Sequence, residues 1–307
     1  SFGCTLPTEN LGSTRPRRCR GSATRDTLPV MNWLGNAPLD AGSEHADTES
    51  RILVGSLLPA NGPVPREVAL NLLRRHLVHL QGNVQEEFET GRVPGLAAAR
   101  RLGTLTDGLI VAIYAYSLAI TADADGGTAP QPAALVATGG YGRGVLAPFS
   151  DIDLLFVAEE VPTAPTRRVV EFMLYLLWDL GLKVGHATRS VSECLEDARA
   201  DATVQTALLD ARFLAGNRAT YDRFATAFTA ARAEWGMGQF LAAKRAERRA
   251  RHSRYGDSPY LVEPHLKEGR GGLRDLQTAY WLARYAFGVQ RMEQLVGTES
   301  PGGGLLT

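Results

Sequence analysis

Two aspartates at alternate positions, Asp151 and Asp153, follow a double glycine in the segment Thr138 to Leu155, TGGYGRGVLAPFSDIDLL, with ten residues (141–150) between Gly140 and Asp151. On a strand over Asp151 to Val157, positions i and i+2 point the same way, so both carboxylates share one face while Ile152 and Leu154 enter the opposite layer. Two adjacent carboxylates repel each other, and a hard divalent cation between them turns that cost into a gain. Mg2+ characteristically takes one or two carboxylates plus phosphate oxygens. Gly139 and Gly140 let the backbone approach closely, so that amide N–H groups can cradle the phosphates of a nucleotide. An Asp-x-Asp alone is common in loops and a Gly-Gly alone is a turn. Coupled across a strand on each side, the two point to metal-dependent phosphoryl chemistry. Arg143 is placed to meet a phosphate or to sit on the turn's surface, and Ser150 to bind phosphate or to cap.

The elements that must position these groups are readable around them. Ala133 to Ala137 is a short apolar run leading into the glycine turn, a buried strand. Thr166 to Leu180 has a helical distribution of apolar residues stopped by Gly181, Leu182 to Thr188 reads as a third strand, and a further helix starts near Ser192. The run Ala207 to Leu214, ALLDARFL, fits either a fourth strand or a helix end, and about 217 to 254 is helical. Upstream, a helix begins at Pro65 with a stripe reaching towards Phe88, and a second runs from Gly95 to Thr121. The Gly- and Pro-containing stretch DADGGTAPQ (123–131) separates these from the strand-bearing part. The expected division is a flexible leader over 1–62, a helical segment over 63–125, a catalytic core over 126–216 and a helical domain over 217–307. The fold class is α+β, a small mixed sheet with flanking helices.

At 307 residues the chain has ample length for a core plus tails. Lys and Arg number 33 and Asp and Glu 33, so no broad nucleic-acid coat is implied. The three cysteines, Cys4, Cys19 and Cys194, write neither a disulfide framework nor a CxxC metal site, which fits a reducing cytoplasm. The apolar run Leu109 to Ile120 is shorter than the roughly 20 residues of a bilayer span and reads as a core helix. The Arg-containing N-terminus lacks the apolar stretch of a secretory signal.

Towards the C-terminus, Lys267, Arg270 and Arg274 flank a glycine-rich turn, where they can neutralise a triphosphate or pair with Glu268 and Asp275. Lys244 to Arg254 is strongly basic and reads as a solvated helix face with some capacity to attract an acidic ligand. Tyr141 and His186 read as structural.

GGYGRG followed by SDIDLL resembles the active-site signature of the nucleotidyltransferase superfamily that includes DNA polymerase beta. Together with LKVGHATR (182–189) and EPHLKEGRGGLRDLQT (263–278), it resembles the N-terminal transferase part of the bacterial PII uridylyltransferases over about residues 65 to 297. The resemblance implies transfer of UMP from UTP to a tyrosine of a PII nitrogen-regulatory protein, releasing pyrophosphate, with two Mg2+ ions held by Asp151 and Asp153. Gly139, Gly140, Arg143, Ser150, Lys267 and Arg274 would then bind nucleotide, with no nucleic acid or membrane involved. The superfamily normally adds a third carboxylate from a neighbouring strand. LKVGH offers none, and Asp210 is the candidate, as a strand residue or as a helix-terminal aspartate. Alternatives are another base or acceptor, or a shortened chain that binds nucleotide or PII without turnover. Val145, His265 and Arg270 replace the commoner Glu, Asn and Pro. The family continues into an HD-type hydrolase domain and two ACT domains. No histidine here is followed by Asp, so uridylyl removal and glutamine sensing are expected to be missing.

Overall fold

The computed structural model describes residues 44–122, 133–255, 263 and 265–289. The expected leader up to residue 43, the DADGGTAPQ separator and the GTESPGGGLLT end lie outside them.

The stretch read as leader nevertheless carries a helix, α1 (Glu44–Leu57). Its Leu53 and Leu57 are buried against α3, an apolar pair that offsets the entropy of ordering the segment. Helices α2 (Arg66–Glu89) and α3 (Gly95–Ala122) follow. The α3 helix is the spine of the first core: Leu109, Ile110, Ile113 and Tyr116 are fully buried, and the helix packs on α1, α2 and α5 (Ala164–Asp179). It is long and apolar enough by composition to cross a membrane, and half of its most apolar window is buried inside the protein. The tyrosines of α3 tie it to its surroundings: the Tyr114 hydroxyl donates to the Ala133 carbonyl at 2.8 Å and the Tyr116 hydroxyl to the Val64 carbonyl at 2.6 Å.

The sheet is mixed, as expected. Its four strands are β1 (Ala134–Ala137), β2 (Ile152–Ala158), β3 (Val184–Ser190) and β4 (Arg212–Gly216), in the order β3-β2-β1-β4. β1 is antiparallel to β2 and β4, and β2 is parallel to β3. Alternation along the strands separates two cores. Leu135, Ala137, Leu154 and Phe156 face α3 and α5. Ala134, Val136, Leu155 and Val157 face the C-terminal helices. Asp153 has the parity of Leu155 and Val157, so it belongs to the second face.

Those helices are α6 (Val191–Ala200), α7 (Ala202–Leu209), α8 (Arg218–Trp235), α9 (Met237–Arg254) and α10 (Leu273–Phe287). A capping box between Ser190 and Glu193 starts α6 directly from β3. The run 207–214 divides in two, the end of α7 and the start of β4. The stretch 217–254 is helical as expected, divided into two helices at Gly236, whose φ of 71° is a left-handed setting that L side chains resist.

The glycine turn forms one helical turn, α4 (Gly139–Gly142), and it is gripped from three sides. A Cβ at Gly142 would stand 2.0 Å from the Asp210 carbonyl oxygen, and one at Gly103 on α3 would stand 2.8 Å from the Gly144 carbonyl oxygen. Arg212 donates to the carbonyls of Gly142 and Tyr141 at 3.2 and 3.4 Å while holding Asp107 of α3 at 2.7 and 3.0 Å. The three atoms nearest to a Gly142 Cβ all belong to backbone, and backbone cannot yield as a side chain does. We therefore expect Gly142→Ala to lower unfolding stability by about 3 kcal/mol, the upper end of overpacking costs, read from urea denaturation.

Candidate active site

Asp153 stands at the sheet's end, in register with Gly185 of β3, and its carbonyl accepts from the Thr138 N–H at 3.0 Å. Its carboxylate lies between two backbones without side chains. Cβ atoms at Gly139 and Gly185 would stand 2.7 Å from Oδ2 and 2.6 Å from Oδ1 respectively. One oxygen therefore faces the glycine turn and the other faces the edge strand. The Asp153 carboxyl is held above the usual carboxylate range by burial first and by the Asp151 charge second, with Arg143 opposing. Asp151 precedes β2 and is exposed. This pair fits a hard divalent cation: a partly desolvated anion beside a second carboxylate, with open backbone next to it for phosphate oxygens. Among the described residues no group of three or more His, Cys, Asp or Glu side chains gathers in a metal-binding arrangement, so the candidate donor set is these two.

Ser150 is exposed at the end of a tight turn in which its N–H donates to the Ala147 carbonyl at 3.2 Å. Phe149 before it is 93% exposed with φ of 62°, a backbone setting costly for a bulky residue.

Asp210 does not project from a strand. It occupies the turn that ends α7, which corrects the strand placement, and it is 1% exposed. Three donors bind it: Arg143 Nη1 at 2.7 Å, Trp281 Nε1 at 2.9 Å and Arg284 Nη1 at 2.9 Å. With Arg143 and Trp281 on one oxygen and Arg284 on the other, Asp210 holds Arg143 in place. Arg143 thereby stands over the glycine turn, with Nη2 3.7 Å from where a Cβ of Gly140 would be.

Trp281 collects further cations. Arg143, Arg274 and Lys244 lie 5.8, 5.5 and 5.2 Å from its ring centroid, a cation–π arrangement. Lys244, expected on a solvated face, is 2% exposed and paired with Glu247 at 2.7 Å. Phe240, Lys244 and Arg251 fall on one helical stripe, a spacing that marks the buried face within the basic run. Trp281, Lys244 and Arg284 are the residues that the motif reading missed.

The glycine-rich turn before α10 is organised by Asp275. It accepts from the Gly271 N–H at 2.8 Å, Arg251 Nη2 at 2.6 Å and His252 Nε2 at 3.0 Å. Burial alone would raise its carboxyl, but these bonds hold it down at about 2. Arg274 approaches Glu268 at 3.5 Å and donates to Gln277 at 2.9 Å. Lys267 is exposed. Arg274 is thus brought towards Arg143 through Trp281, whereas among the described residues no contact of the Lys267 side chain draws it to the aspartates.

A mixed sheet ending in paired aspartates beside a glycine turn defines the class: residues 127–209 match the nucleotidyltransferase domain family, and the chain carries such a domain. More narrowly, residues 239–300 match the GlnD PII-uridylyltransferase family. The chain is 49% identical over 229 residues to the bifunctional uridylyltransferase/uridylyl-removing enzyme of Gluconobacter oxydans (strain 621H), covering 75% of this chain and 24% of that one. It is 44% identical over 231 residues to the like-named enzyme of Bradyrhizobium sp. (strain ORS 278), with 75% and 25% covered. It is 54% identical over 164 residues to that of Nitrobacter hamburgensis (strain DSM 10229 / NCIMB 13809 / X14), with 53% and 18% covered. The chain is therefore a relative of the PII-uridylyltransferases and spans about a quarter of the length of the first two.

Two substitutions test the site. A carboxyl raised in the fold favours the folded state at low pH, and that advantage is lost as pH rises from the ordinary aspartate value through the raised one. Asp153→Asn is thus expected to be more stable than the unsubstituted chain at pH 7, with the gap closing as pH falls through the raised value and closed below about 4. Mg2+ should raise the melting temperature of the unsubstituted chain alone. Asp210→Ala, which strands two part-buried guanidinium groups, should cost about 2–4 kcal/mol while leaving Mn2+ affinity, followed by electron paramagnetic resonance, within about twofold.

Proposed function

We propose that this chain transfers UMP from UTP to a tyrosine hydroxyl of a PII nitrogen-regulatory protein and releases pyrophosphate. The single observation that carries the chemistry is the Asp153 carboxylate, one oxygen against Gly139 of the phosphate turn and the other against Gly185. Mg2+ bound by Asp151 and Asp153, a two-ion site in this reading, would supply charge stabilisation for the attacking and leaving oxygens. The first N–H groups of α4 lack intrahelical acceptors and are set to receive phosphate oxygens. Arg143, kept in place by Asp210, faces the charge that develops on the departing pyrophosphate. Arg274, sharing the Trp281 ring with Arg143, extends that positive field onto α10. The uracil base and the PII acceptor come from the relatives' family.

The experiment is to incubate the chain with Mg2+, UTP and a PII protein and to weigh PII by mass spectrometry. A UMP-sized increase on a tyrosine is expected. Asp153→Ala should lose at least about a thousandfold, the equivalent of roughly 4 kcal/mol of transition-state stabilisation. Equal transfer from ATP, or full activity of a folded Asp153→Ala chain, would overturn the assignment.

A further inference from the structure

A cavity of about 260 Å³ opens beside Asp153, between β3 and α7. Its floor is Leu155 and Ala187 and its wall is Val204, Ala207 and Leu208, with Asp153 at one end. Gly185 on its rim is exposed. The space is smaller than the roughly 300–1,000 Å³ of sites that enclose a whole small molecule, so it suits one ring-bearing side chain rather than a nucleoside triphosphate. Thr138, His186 and Arg189 also line it, and an apolar stretch with polar groups at its margin matches a phenol, which is apolar along its ring and polar at its tip. A serine or threonine hydroxyl would leave those walls unfilled.

Position decides which reactant belongs there. In the strand order β3-β2-β1-β4, β2 separates β3 from β1, and β1 leads into the phosphate turn. Displacement at phosphorus is in line, with attacking and leaving oxygens on opposite sides. If pyrophosphate departs on the side of α4 and Arg143, the nucleophile arrives from the side of β3, where Oδ1 of Asp153 meets Gly185.

We propose that this cavity is the acceptor slot, receiving the tyrosine ring of the modified protein, with Gly185, Ala187 and Ala207 kept small to admit it. The inference rests on the transferase reading above and adds the acceptor's place. The phenol oxygen forms a bond to the α-phosphorus. The bond from that phosphorus to the bridging oxygen breaks, its electron pair leaves with pyrophosphate, and the phenol proton passes to water at the rim.

The test combines a variant with a measurement on the unsubstituted chain. Ala187→Leu is expected to lower transfer to PII at least tenfold, chiefly through the acceptor KM, with Mg2+-UTP binding changed less than twofold. In the unsubstituted chain, p-cresol should shift the methyl resonances of Ala187 and Ala207 and inhibit in competition with PII but not with UTP. Unchanged transfer by a folded Ala187→Leu chain, UTP binding lost in parallel with transfer, or p-cresol competing with UTP would overturn the slot. The two readings separate cleanly. Methyl shifts with p-cresol in a chain that leaves PII unmodified would show a phenol-binding cavity but sink the transferase assignment, and the acceptor role with it. Modified PII with an indifferent Ala187→Leu chain would keep the transferase assignment and sink the slot.

Discussion

The structure around the site depends on one constraint: a charged carboxylate, Asp153, must be held at the end of a sheet with no side chain of its neighbours in the way. Gly139 and Gly185 satisfy that from opposite sides. A methyl group at either position would collide with a carboxylate oxygen, so the sheet, the glycine turn and the edge strand have to meet where two residues contribute nothing beyond backbone. The cost is a part-buried anion beside a like charge, which the fold leaves to be relieved by what binds there.

The rest of the fold can be read as what keeps that meeting point rigid. Helix α3 supplies Gly103 and Asp107, β4 supplies Arg212, and the end of α7 supplies the Asp210 peptide, and all converge on α4 and the Gly144 just after it. The guanidinium of Arg212 spans α3 and α4 at once. Its charge is matched by Asp107 and its remaining donors go to backbone carbonyls, so a turn that is too short to be stable alone is set by its surroundings. The second core then adds the C-terminal helices over the same face of the sheet, bringing Trp281 and its cations to the edge of the turn.

Much of this was legible in the chain. Apolar runs of strand length, the glycine stops and the alternation through DIDLLFV located β1, β2 and α5 within a few residues, and the pairing of the double glycine with the aspartates anticipated the approach of Gly139 to Asp153. What escaped reading was long-range. Nothing within ALLDARFL tells that Asp210 turns inward to two arginines from distant parts of the chain, since local period is the same for a strand residue and a helix cap. Lys244 was hidden by composition: a run of bases looks solvated until its phase against Phe240 is followed. Helix α1 was missed because a Gly-, Ser- and Thr-rich setting outweighed the few apolar residues that α3 buries.

Asp210 joins Arg143 from the region that matches the nucleotidyltransferase domain to Trp281 and Arg284 from the region that matches the uridylyltransferase family. It is itself one residue beyond the first of these matches. The border between two recognisable modules therefore runs through a single ion-paired side chain, and they are not interchangeable parts. A hybrid assembled from two relatives would inherit a working phosphate turn only if the aspartate, the tryptophan and both arginines travelled together, so descent should have treated the four as one heritable unit despite their separation of more than 130 positions along the chain.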